Sequence, residues 1–361
     1  MSGTRADRLV ELLVERELDA LLVTNLVNVR YLTGFTGTNG LCIVGPEIRL
    51  FLTDFRYVER AETEVRDFDR ARGKQDLIGD AAEHLSRGAG DARRVGFEDD
   101  HLTVRRHQQL AKAVSDVVEL IAAGGLAERL RAVKEPGELA AIRDAAALTD
   151  QVLKRLAERP LAGRTEREVA LELEGEIRAQ GAEGPAFPPI VAAGPHGALP
   201  HADPREVEIA PGTLVIVDVG SVVDGYSSDC TRTFATGPLD DGAAEVYELV
   251  LGAQERALEA ARPGAGCREV DAVAREPIEA AGHGERFGHG LGHGVGLEVH
   301  EGPRLAPTAD CELEAGNVVT IEPGVYVSGE YGVRIEDLVT VTEAGCEVLT
   351  GFPKSLTIPG S

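Results

Sequence analysis

The sequence is poor in cysteine, in long apolar runs and in positive charge. Its five cysteines are widely scattered and form no CxxC pair, which argues against a disulfide framework or a zinc knuckle and favours a reducing, cytoplasmic environment. No apolar run approaches the roughly 18 residues of a membrane helix, and residues 1–22 carry charges throughout without the apolar centre of a signal peptide. We therefore expect neither export nor a membrane partner.

The shortage of basic residues bears on the choice of partner. Lysine and arginine number 37 against 61 aspartates and glutamates, so the formal charge is −24 and the chain repels phosphate backbones. Nucleic acid is therefore not expected as a partner. Hydrophobic residues make up 43% and charged residues 27%, which is typical of a folded globular protein. Because 361 residues exceed one compact core, we expect two domains.

Residues 1–125 have the pattern of a small α/β domain. Helical spacing over residues 6–16 precedes short apolar strand candidates, and further helical patterns follow. The strand candidates are Ala20–Val23, Leu41–Val44 and Ile48–Thr53. The pattern breaks around Ala122–Gly125, and Pro136 then stands in the first turn of a long predicted helix. These features predict a boundary near residue 125 and a second domain over residues 126–361.

The order of elements in the second domain repeats. Thr165 and Glu168 form a capping box at the start of a second helix, and strand candidates follow that helix. The same order of two helices and then strands recurs later in the chain. The recurring elements are helices at Ala243–Ala261 and Cys267–Ala281 and strands at Val318–Ile321 and Val333–Val341. This order predicts two related halves facing each other across a sheet, although their sequence identity is too low to prove a repeat.

One acidic residue, Asp218, interrupts the apolar strand Thr213–Val219. The dipeptide Asp224-Gly225 downstream is a strong hairpin signal. With that turn, Asp218 faces Thr231 on the returning strand, and Asp229 lies one diagonal step away on the same face. The hairpin therefore predicts two converging carboxylates.

A lone aspartate in an apolar strand needs a metal or a basic partner. A metal ion and a salt bridge from Asp218 to Arg232 explain the residue about equally well when the first hairpin is considered alone. Cys230 points to the opposite face, where a buried core position is the simpler interpretation.

A second hairpin shifts the balance toward a metal site. Glu322 and Glu336 border apolar runs, with the loop Ser328–Gly332 between them. If that loop has five residues, Val327 pairs with Val333 and the two glutamates share a face on the diagonal. A four-residue loop would separate them, and exposed edge acids are the alternative. The apolar flanks of both residues disfavour that alternative.

The segment FGHGLGHGVGLEVH at 287–300 alternates glycine with larger side chains. In an extended chain the larger side chains share one face, and the glycine face allows another backbone to approach closely. The larger residues are His289, Leu291, His293, Val295 and Leu297. One imidazole with four carboxylates suits a shared pair of Mn²⁺, Co²⁺, Fe²⁺ or Zn²⁺ ions.

Several motifs together resemble the creatinase/methionine-aminopeptidase superfamily, and its Xaa-Pro peptidases, prolidase and aminopeptidase P, in particular. The resemblance covers nearly the whole chain and implies an α+β fold, in which a smaller α/β creatinase-like N-terminal domain precedes a pita-bread catalytic domain with pseudo-two-fold halves. The motifs are IVDVG at 216–220, SDCTRTF at 228–234, GHGLGHGVGLEVHEGPR at 288–304, TIEPGVY at 320–326, VRIEDL at 333–338, NVRYLTGFTGTNG at 28–40 and LTDFRYVERA at 52–61.

The resemblance also implies a ligand set for two divalent ions per chain. The implied ligands are Asp218, Asp229, His293, Glu322 and Glu336. Asp229 and Glu336 would bridge both ions, with Mn²⁺ the first choice and Co²⁺ or Zn²⁺ possible. His196 and His283 match no role in the family, and we expect them to be solvent-exposed loop residues.

Further roles follow from the same resemblance. Three histidines are implied to surround the substrate: His201, His289 and His300. Glu322 would carry the proton, and His300 would donate to the developing oxyanion. Arg334 would lie beside Glu336, and Arg304 would hold the free carboxylate of a C-terminal proline, as the matching arginine does in prolidases.

The resemblance therefore implies a dinuclear metallopeptidase, a homodimer, that cleaves before proline in short peptides. An Xaa-Pro dipeptidase is slightly favoured over an aminopeptidase P acting on longer peptides. Creatinase itself lacks the metal ligands, and methionine aminopeptidase usually lacks the N-terminal domain. A non-catalytic binding protein on the same fold is disfavoured by the complete ligand set.

Overall fold

A computed structural model describes residues 3–87 and 94–360 of the protein. The chain forms two compact units, the first ending at Arg131 and the second beginning at Ala132. The domain limits 1–125 and 126–361 stay a prediction, because compactness alone does not decide which segments fold independently. Within the described part of the chain, no helix combines the length and the apolar character needed to cross a membrane.

The first unit is a six-stranded mixed sheet with helices. Its strands are β1 (Ala20–Val23), β2 (Gly40–Gly45), β3 (Ile48–Thr53), β4 (Asp69–Arg72), β5 (Arg94–Phe97) and β6 (Glu119–Ala122). Its helices are α1 (Arg5–Glu15), α2 (Leu26–Thr33), α3 (Val58–Glu64), α4 (Leu77–Arg87), α5 (Val104–Ala113) and α6 (Leu126–Ala132), the last ending at the unit boundary. The strand order is β4-β3-β2-β1-β5-β6. The predicted strands at Ala20–Val23 and Ile48–Thr53 are confirmed to the residue.

The second unit contains two helix pairs and several small sheets. Its helices are α7 (Pro136–Ala157), α8 (Glu166–Ala179), α9 (Asp241–Ala260) and α10 (Cys267–Ala280). Its first strands are β7 (Gly184–Pro185), β8 (Ile190–Ala193), β9 (Leu214–Val219), β10 (Ser221–Val223), β11 (Tyr226–Ser227) and β12 (Cys230–Ala235). The later strands are β13 (Gly292–Gly294), β14 (Glu301–Leu305), β15 (Val318–Ile321), β16 (Gly324–Val327), β17 (Tyr331–Arg334), β18 (Asp337–Thr342) and β19 (Gly345–Val348).

Local signals at the helix starts are confirmed. Pro136 occupies the first turn of α7, where its missing N–H costs nothing. At the start of α8 the Thr165 hydroxyl accepts from the Glu168 N–H at 3.1 Å, and the Glu168 carboxylate accepts from the Thr165 N–H at 2.7 Å.

The predicted two-fold order of helices and strands is confirmed by the packing. One apolar core joins α7 and α8 to the sheet β12-β9-β8. A second core joins α9 and α10 to the sheet β14-β13-β15-β18-β19. Each half therefore buries one helix pair against one sheet, as the pita-bread arrangement requires.

Two predictions about the strands near the C-terminus are wrong. The predicted strand Val333–Val341 is broken after Arg334, because Glu336 donates its backbone N–H to Thr231 instead of to a partner in its own sheet. The connection between β16 and β17 spans only residues 328–330, so Val327 pairs with Tyr331 and not with Val333.

Candidate active site

The first hairpin has the predicted register. Asp218 on β9 lies opposite Thr231 on β12, and Val223 pairs with Tyr226 beside the turn. Asp229 immediately precedes β12 and is buried. The Asp224-Gly225 turn, with both residues at positive φ, holds this register locally.

The second hairpin brings Glu322 and Glu336 opposite each other. Strand β15 pairs with β18 up to Ile321 and Asp337, and β16 pairs with β17 from Gly324 onward in the same register. The glutamates lie in the gap between the two paired segments. They are therefore directly opposite, where the five-residue loop had predicted a diagonal relationship.

The glycines of the Gly-rich segment allow close backbone contact, as expected. A Cβ on Gly292 would lie 2.0 Å from the carbonyl oxygen of Thr320, and one on Gly294 would lie 2.1 Å from that of Gly302. Both distances are far inside van der Waals contact. Strand β13 can therefore fit between β14 and β15 only with glycine at these two positions.

The predicted single face of the Gly-rich segment is not observed. Only Gly292–Gly294 forms a strand, and its register to β14 shifts after His293. His289 and His293 line a cavity, whereas Leu291 and Val295 belong to two different apolar cores. The strand is too short to keep alternate side chains on one side.

All the residues predicted to form the site line one cavity of about 490 Å³. They are His201, Asp218, Asp229, His289, His293, His300, Arg304, Glu322, Arg334 and Glu336. Tyr326, which stands inside the TIEPGVY motif, and an apolar wall also line the cavity and were not predicted from the sequence. That wall consists of Phe187, Pro188, Pro189 and Pro200.

The acids in the cavity are suited to a cation. Carboxylate oxygens of Asp218, Asp229 and Glu336 all lie within 4.8 Å of one another. Burial and the neighbouring carboxylates raise the pKa of both Asp229 and Glu336 well above their usual ranges. Within the described residues, Oδ1 of Asp218 is buried without a hydrogen-bond partner. A bound divalent cation would satisfy this oxygen and neutralise the crowded carboxylates.

Arg334 contacts Asp218 rather than Glu336. Its Nη2 donates to Asp218 Oδ2 at 2.6 Å, and its Nε donates to Thr231 Oγ1 at 3.0 Å. The Thr231 hydroxyl in turn donates to Glu336 Oε2 at 2.8 Å. Arg334 is therefore linked to Glu336, its predicted neighbour, through Thr231. The alternative partner of Asp218, Arg232, instead donates to Asp337 and to backbone carbonyls.

The imidazole of His293 points its Nε2 atom at the acids. Nε2 lies 3.2 Å from Glu322 Oε1 and 3.7 Å from Asp229 Oδ2. The opposite ring nitrogen, Nδ1, donates to the carbonyl of Gly294 at 3.1 Å, which fixes the ring orientation. Burial disfavours the charged ring, but the hydrogen bond and charge of Glu322 outweigh it and raise the pKa of His293.

The other histidines occupy two environments. His289 donates from Nδ1 to the Gly290 carbonyl at 2.8 Å and lies 2.9 Å from the Tyr326 hydroxyl through Nε2, and burial lowers its pKa. The ring of His300 lies 4.3 Å from that of His293, and partial burial together with that neighbour lowers the pKa of His300. His201 is exposed at the cavity rim.

The expectation for His196 is wrong. This residue is buried, and its Nδ1 lies 2.8 Å from an oxygen of Glu166, the first residue of α8. No sequence signal distinguished it, because the partner stands 30 positions earlier. His283 is partly exposed and contacts Arg286.

Paired sheets backed by helices, with four carboxylates and an imidazole converging on one cavity, define a metalloenzyme. Comparison with known families specifies which kind. Residues 140–343 match metallopeptidase family M24, and residues 5–133 match the creatinase/prolidase N-terminal domain. The chain belongs to metallopeptidase family M24, which implies that divalent metal ions serve its peptidase activity. The predicted family and fold class are confirmed.

Individual relatives match over almost their whole length. The Xaa-Pro dipeptidase of Pyrococcus furiosus is 34% identical over 98% of this chain and 99% of its own. The structure of an Xaa-Pro dipeptidase from Bacillus anthracis is 39% identical, with a TM-score of 0.93 and 98% of both chains covered. That of an X-Pro aminopeptidase from Thermotoga maritima is 35% identical, with a TM-score of 0.88 over 98% of this chain and 99% of the other.

Proposed function

We propose that the protein is an Xaa-Pro dipeptidase, a hydrolase that cleaves the peptide bond before proline in dipeptides. The observation that carries this proposal is one cavity that joins buried acids, four histidines and an apolar wall to the guanidinium of Arg304. The relatives named Xaa-Pro dipeptidase at 34% and 39% identity support the same activity.

Two divalent ions per chain, with Mn²⁺ the first choice, would be held by five side chains. These are Asp218, Asp229, His293, Glu322 and Glu336. When bound, such ions activate a water molecule and polarise the scissile carbonyl, so no serine or cysteine nucleophile is required. Two observations support this role: Oδ1 of Asp218 has no hydrogen-bond partner among the residues that the structure describes, and the pKa values of Asp229 and Glu336 are raised.

The protein's own groups would handle the proton and the oxyanion. Glu322 would accept the proton of the attacking water at a carboxylate oxygen and deliver it to the departing proline nitrogen. Burial disfavours the charged form of Glu322, but the hydrogen bond and charge of His293 outweigh it and lower the pKa of Glu322 in this structure. His300 would donate an N–H to the developing oxyanion.

Other residues would orient the substrate. His289 is held by the Tyr326 hydroxyl and the Gly290 carbonyl, so its ring has a fixed direction toward the cavity. His201 stands at the rim, where it can contact the substrate amino-terminal residue. Arg334 would keep Asp218 oriented through the 2.6 Å contact.

Specificity for proline has two candidate determinants. The wall of Phe187, Pro188, Pro189 and Pro200 offers an apolar surface that suits a pyrrolidine ring. Arg304 lines the same cavity from β14 and can bind a carboxylate bidentately. A dipeptide ending in proline would satisfy both.

Aminopeptidase P activity is the second candidate. Its support is the 35% identity to a structure named X-Pro aminopeptidase and the exposed position of Arg304, but the relatives named Xaa-Pro dipeptidase favour the dipeptidase. We also propose a cytoplasmic location and a homodimeric assembly. The scattered cysteines support the first, and the family resemblance supports the second.

A substrate panel tests the function. The purified protein, loaded with Mn²⁺, is assayed on Ala-Pro, Met-Pro, Ala-Pro-Ala and proline-free dipeptides. The proposal expects proline release from the two Xaa-Pro dipeptides, with higher kcat/KM on Ala-Pro than on Ala-Pro-Ala. Preference for the tripeptide would support the aminopeptidase. Equal cleavage of the proline-free controls would remove proline specificity altogether.

A further inference from the structure

Two cysteines far apart in the sequence face each other in the second unit. Gly266 and Glu312 form an antiparallel bridge, and on one side of it Cys267 donates its backbone N–H to the Cys311 carbonyl at 2.8 Å. On the other side, the Leu313 N–H donates to the Ala265 carbonyl at 2.9 Å. This register puts Cys267, the first residue of α10, directly opposite Cys311.

The register meets the geometric requirement for a disulfide. Directly opposite residues of a hydrogen-bonded antiparallel pair have Cα atoms roughly 5.5 Å apart. A disulfide bridges Cα atoms about 4.4–6.8 Å apart. Burial raises the pKa of the Cys267 thiol, and a side-chain hydrogen bond with Cys311 raises it further, which is consistent with two neighbouring thiols. The Cα spacing expected for this register therefore lies inside the range that a disulfide can bridge.

The two thiols differ in exposure in a useful way. Cys267 is fully buried, whereas Cys311 is partly exposed and can meet a small oxidant first. A redox-sensitive cysteine typically combines an accessible thiol with a second thiol that resolves its oxidised form. No corresponding partner is found for Cys346, which is also partly exposed: in the described chain its sulfur donates to the Leu258 carbonyl.

We propose that Cys267 and Cys311 are a reversible redox pair that forms a disulfide in the folded protein. With hydrogen peroxide as oxidant, the Cys311 thiol becomes a sulfenic acid and one water is released. The Cys267 sulfur then attacks the Cys311 sulfur, the S–S bond forms, and a second water departs. The two thiols together lose two electrons and two protons to the peroxide, and a dithiol reductant reverses the change.

The cysteine pair is connected to the cavity through Arg304. The Cys311 sulfur donates to the backbone carbonyl of Arg304 at 3.7 Å, and Arg304 pairs with His293 across β13 and β14. The loop closed by the disulfide, residues 267–311, contains every cavity residue of the Gly-rich segment. Its closure would restrict the unfolded chain and raise the stability of this half of the second unit.

Peptide mapping of the oxidised holoenzyme tests the proposal. The native, full-length protein is treated with hydrogen peroxide, denatured, alkylated and digested. The expected product is one disulfide-linked pair of peptides containing Cys267 and Cys311. These two cysteines should no longer react with the alkylating reagent, whereas the other three should still be alkylated. A dithiol reductant should restore all five thiols. The oxidised protein should also unfold at a higher temperature than the reduced one.

Variants make the outcome specific. Cys346→Ser is the matched control and should form the same linked peptides. The Cys311→Ser variant should form no linked peptides and should lose the temperature shift. If this variant folds poorly, Cys267→Ala takes its place. Oxidation of Cys311 to sulfinic acid without a linked peptide would overturn the proposal. A link that forms only after denaturation, or one that joins Cys346, would overturn it as well.

Discussion

Arg334 and Asp218 form a buried contact in which only one carboxylate oxygen is used. The guanidinium donates to Oδ2 at 2.6 Å, while Oδ1 has no hydrogen-bond partner within the described part of the protein. The arginine therefore orients the carboxylate and leaves its second oxygen available to a further ligand. A carboxylate held in this way is prepared to bind a cation without further reorganisation.

Removal of Asp229, a proposed shared metal ligand, should abolish both metal binding and activity. In Asp229→Ala the remaining carboxylates become like charges around a weakened ion, so we expect metal content and dipeptide hydrolysis to fall together. Elemental analysis of the parent should give about two divalent ions per chain. Asp241→Ala, at an exposed acid in the first turn of α9, is the control and should keep both. A metal-free preparation with full activity would contradict the assignment.

Loss of the proposed oxyanion donor should affect turnover more than binding. Because such a donor acts mainly in the transition state, His300→Ala should lower kcat by roughly 10²-fold with a smaller change in KM. Metal content should stay at the parent value. His283→Ala is the control, since this histidine contacts Arg286 and does not line the cavity. Unchanged turnover would assign His300 a structural role.

The choice between dipeptidase and aminopeptidase depends on Arg304. Lysine keeps the charge but cannot bind a carboxylate bidentately, so Arg304→Lys should raise KM for Ala-Pro while leaving Ala-Pro-Ala nearly unchanged. The measurement is the ratio of kcat/KM for the two substrates in parent and variant. Arg268→Lys, at an exposed arginine of α10, is the control. Equal losses on both peptides would remove Arg304 from carboxylate recognition.

Glu166 should act as a positioning residue for the loop that carries His201. Its carboxylate accepts from the Ala193 N–H at 3.0 Å, the Arg205 N–H at 3.0 Å and His196. A glutamine offers only one acceptor oxygen, so Glu166→Gln should release the loop and raise KM several-fold, with little change in kcat or metal content.

Glu174→Gln is the matched control for this variant, because it alters a partly exposed acid on the same helix. A parallel fall in kcat and metal content would instead indicate general disruption of the site.

The buried ion pair between Lys134 and Glu301 should matter for stability. The ammonium lies 2.7 Å from the carboxylate, and the two side chains are 1% and 5% exposed. Removing one charge of a buried pair leaves the other poorly compensated, so Lys134→Met should lower the free energy of unfolding by about 3–5 kcal/mol. The measurement is a urea unfolding curve.

The exposed pair of Arg155 and Glu176 provides the comparison. Its arginine side chain is 56% exposed, so Arg155→Met should cost less than about 1 kcal/mol. Similar losses in the two variants would show that burial does not set the strength of the Lys134 pair.

Much of the architecture could be predicted because short-range signals specify it. The turn at Asp224-Gly225 sets the register that puts Asp218 opposite Thr231, and the capping box at Thr165 starts α8. The glycines at 292 and 294 indicate that another backbone comes close, because they have no side chains. The turn and the capping box act between residues close together in the chain, so they depend little on the rest of the fold, whereas the glycines show only that some backbone comes close.

The partners of individual side chains were decided only by tertiary structure. Arg334 contacts Asp218 from 116 positions away, His196 is buried against Glu166, and Cys267 faces Cys311. The break after Arg334 likewise arises because Thr231, on another strand, accepts the Glu336 N–H. The sequence by itself determined which chemical groups are available and which turns bring strands back. Which of those groups meet depends on how the two halves pack, since burial makes each buried polar atom take the nearest compatible partner.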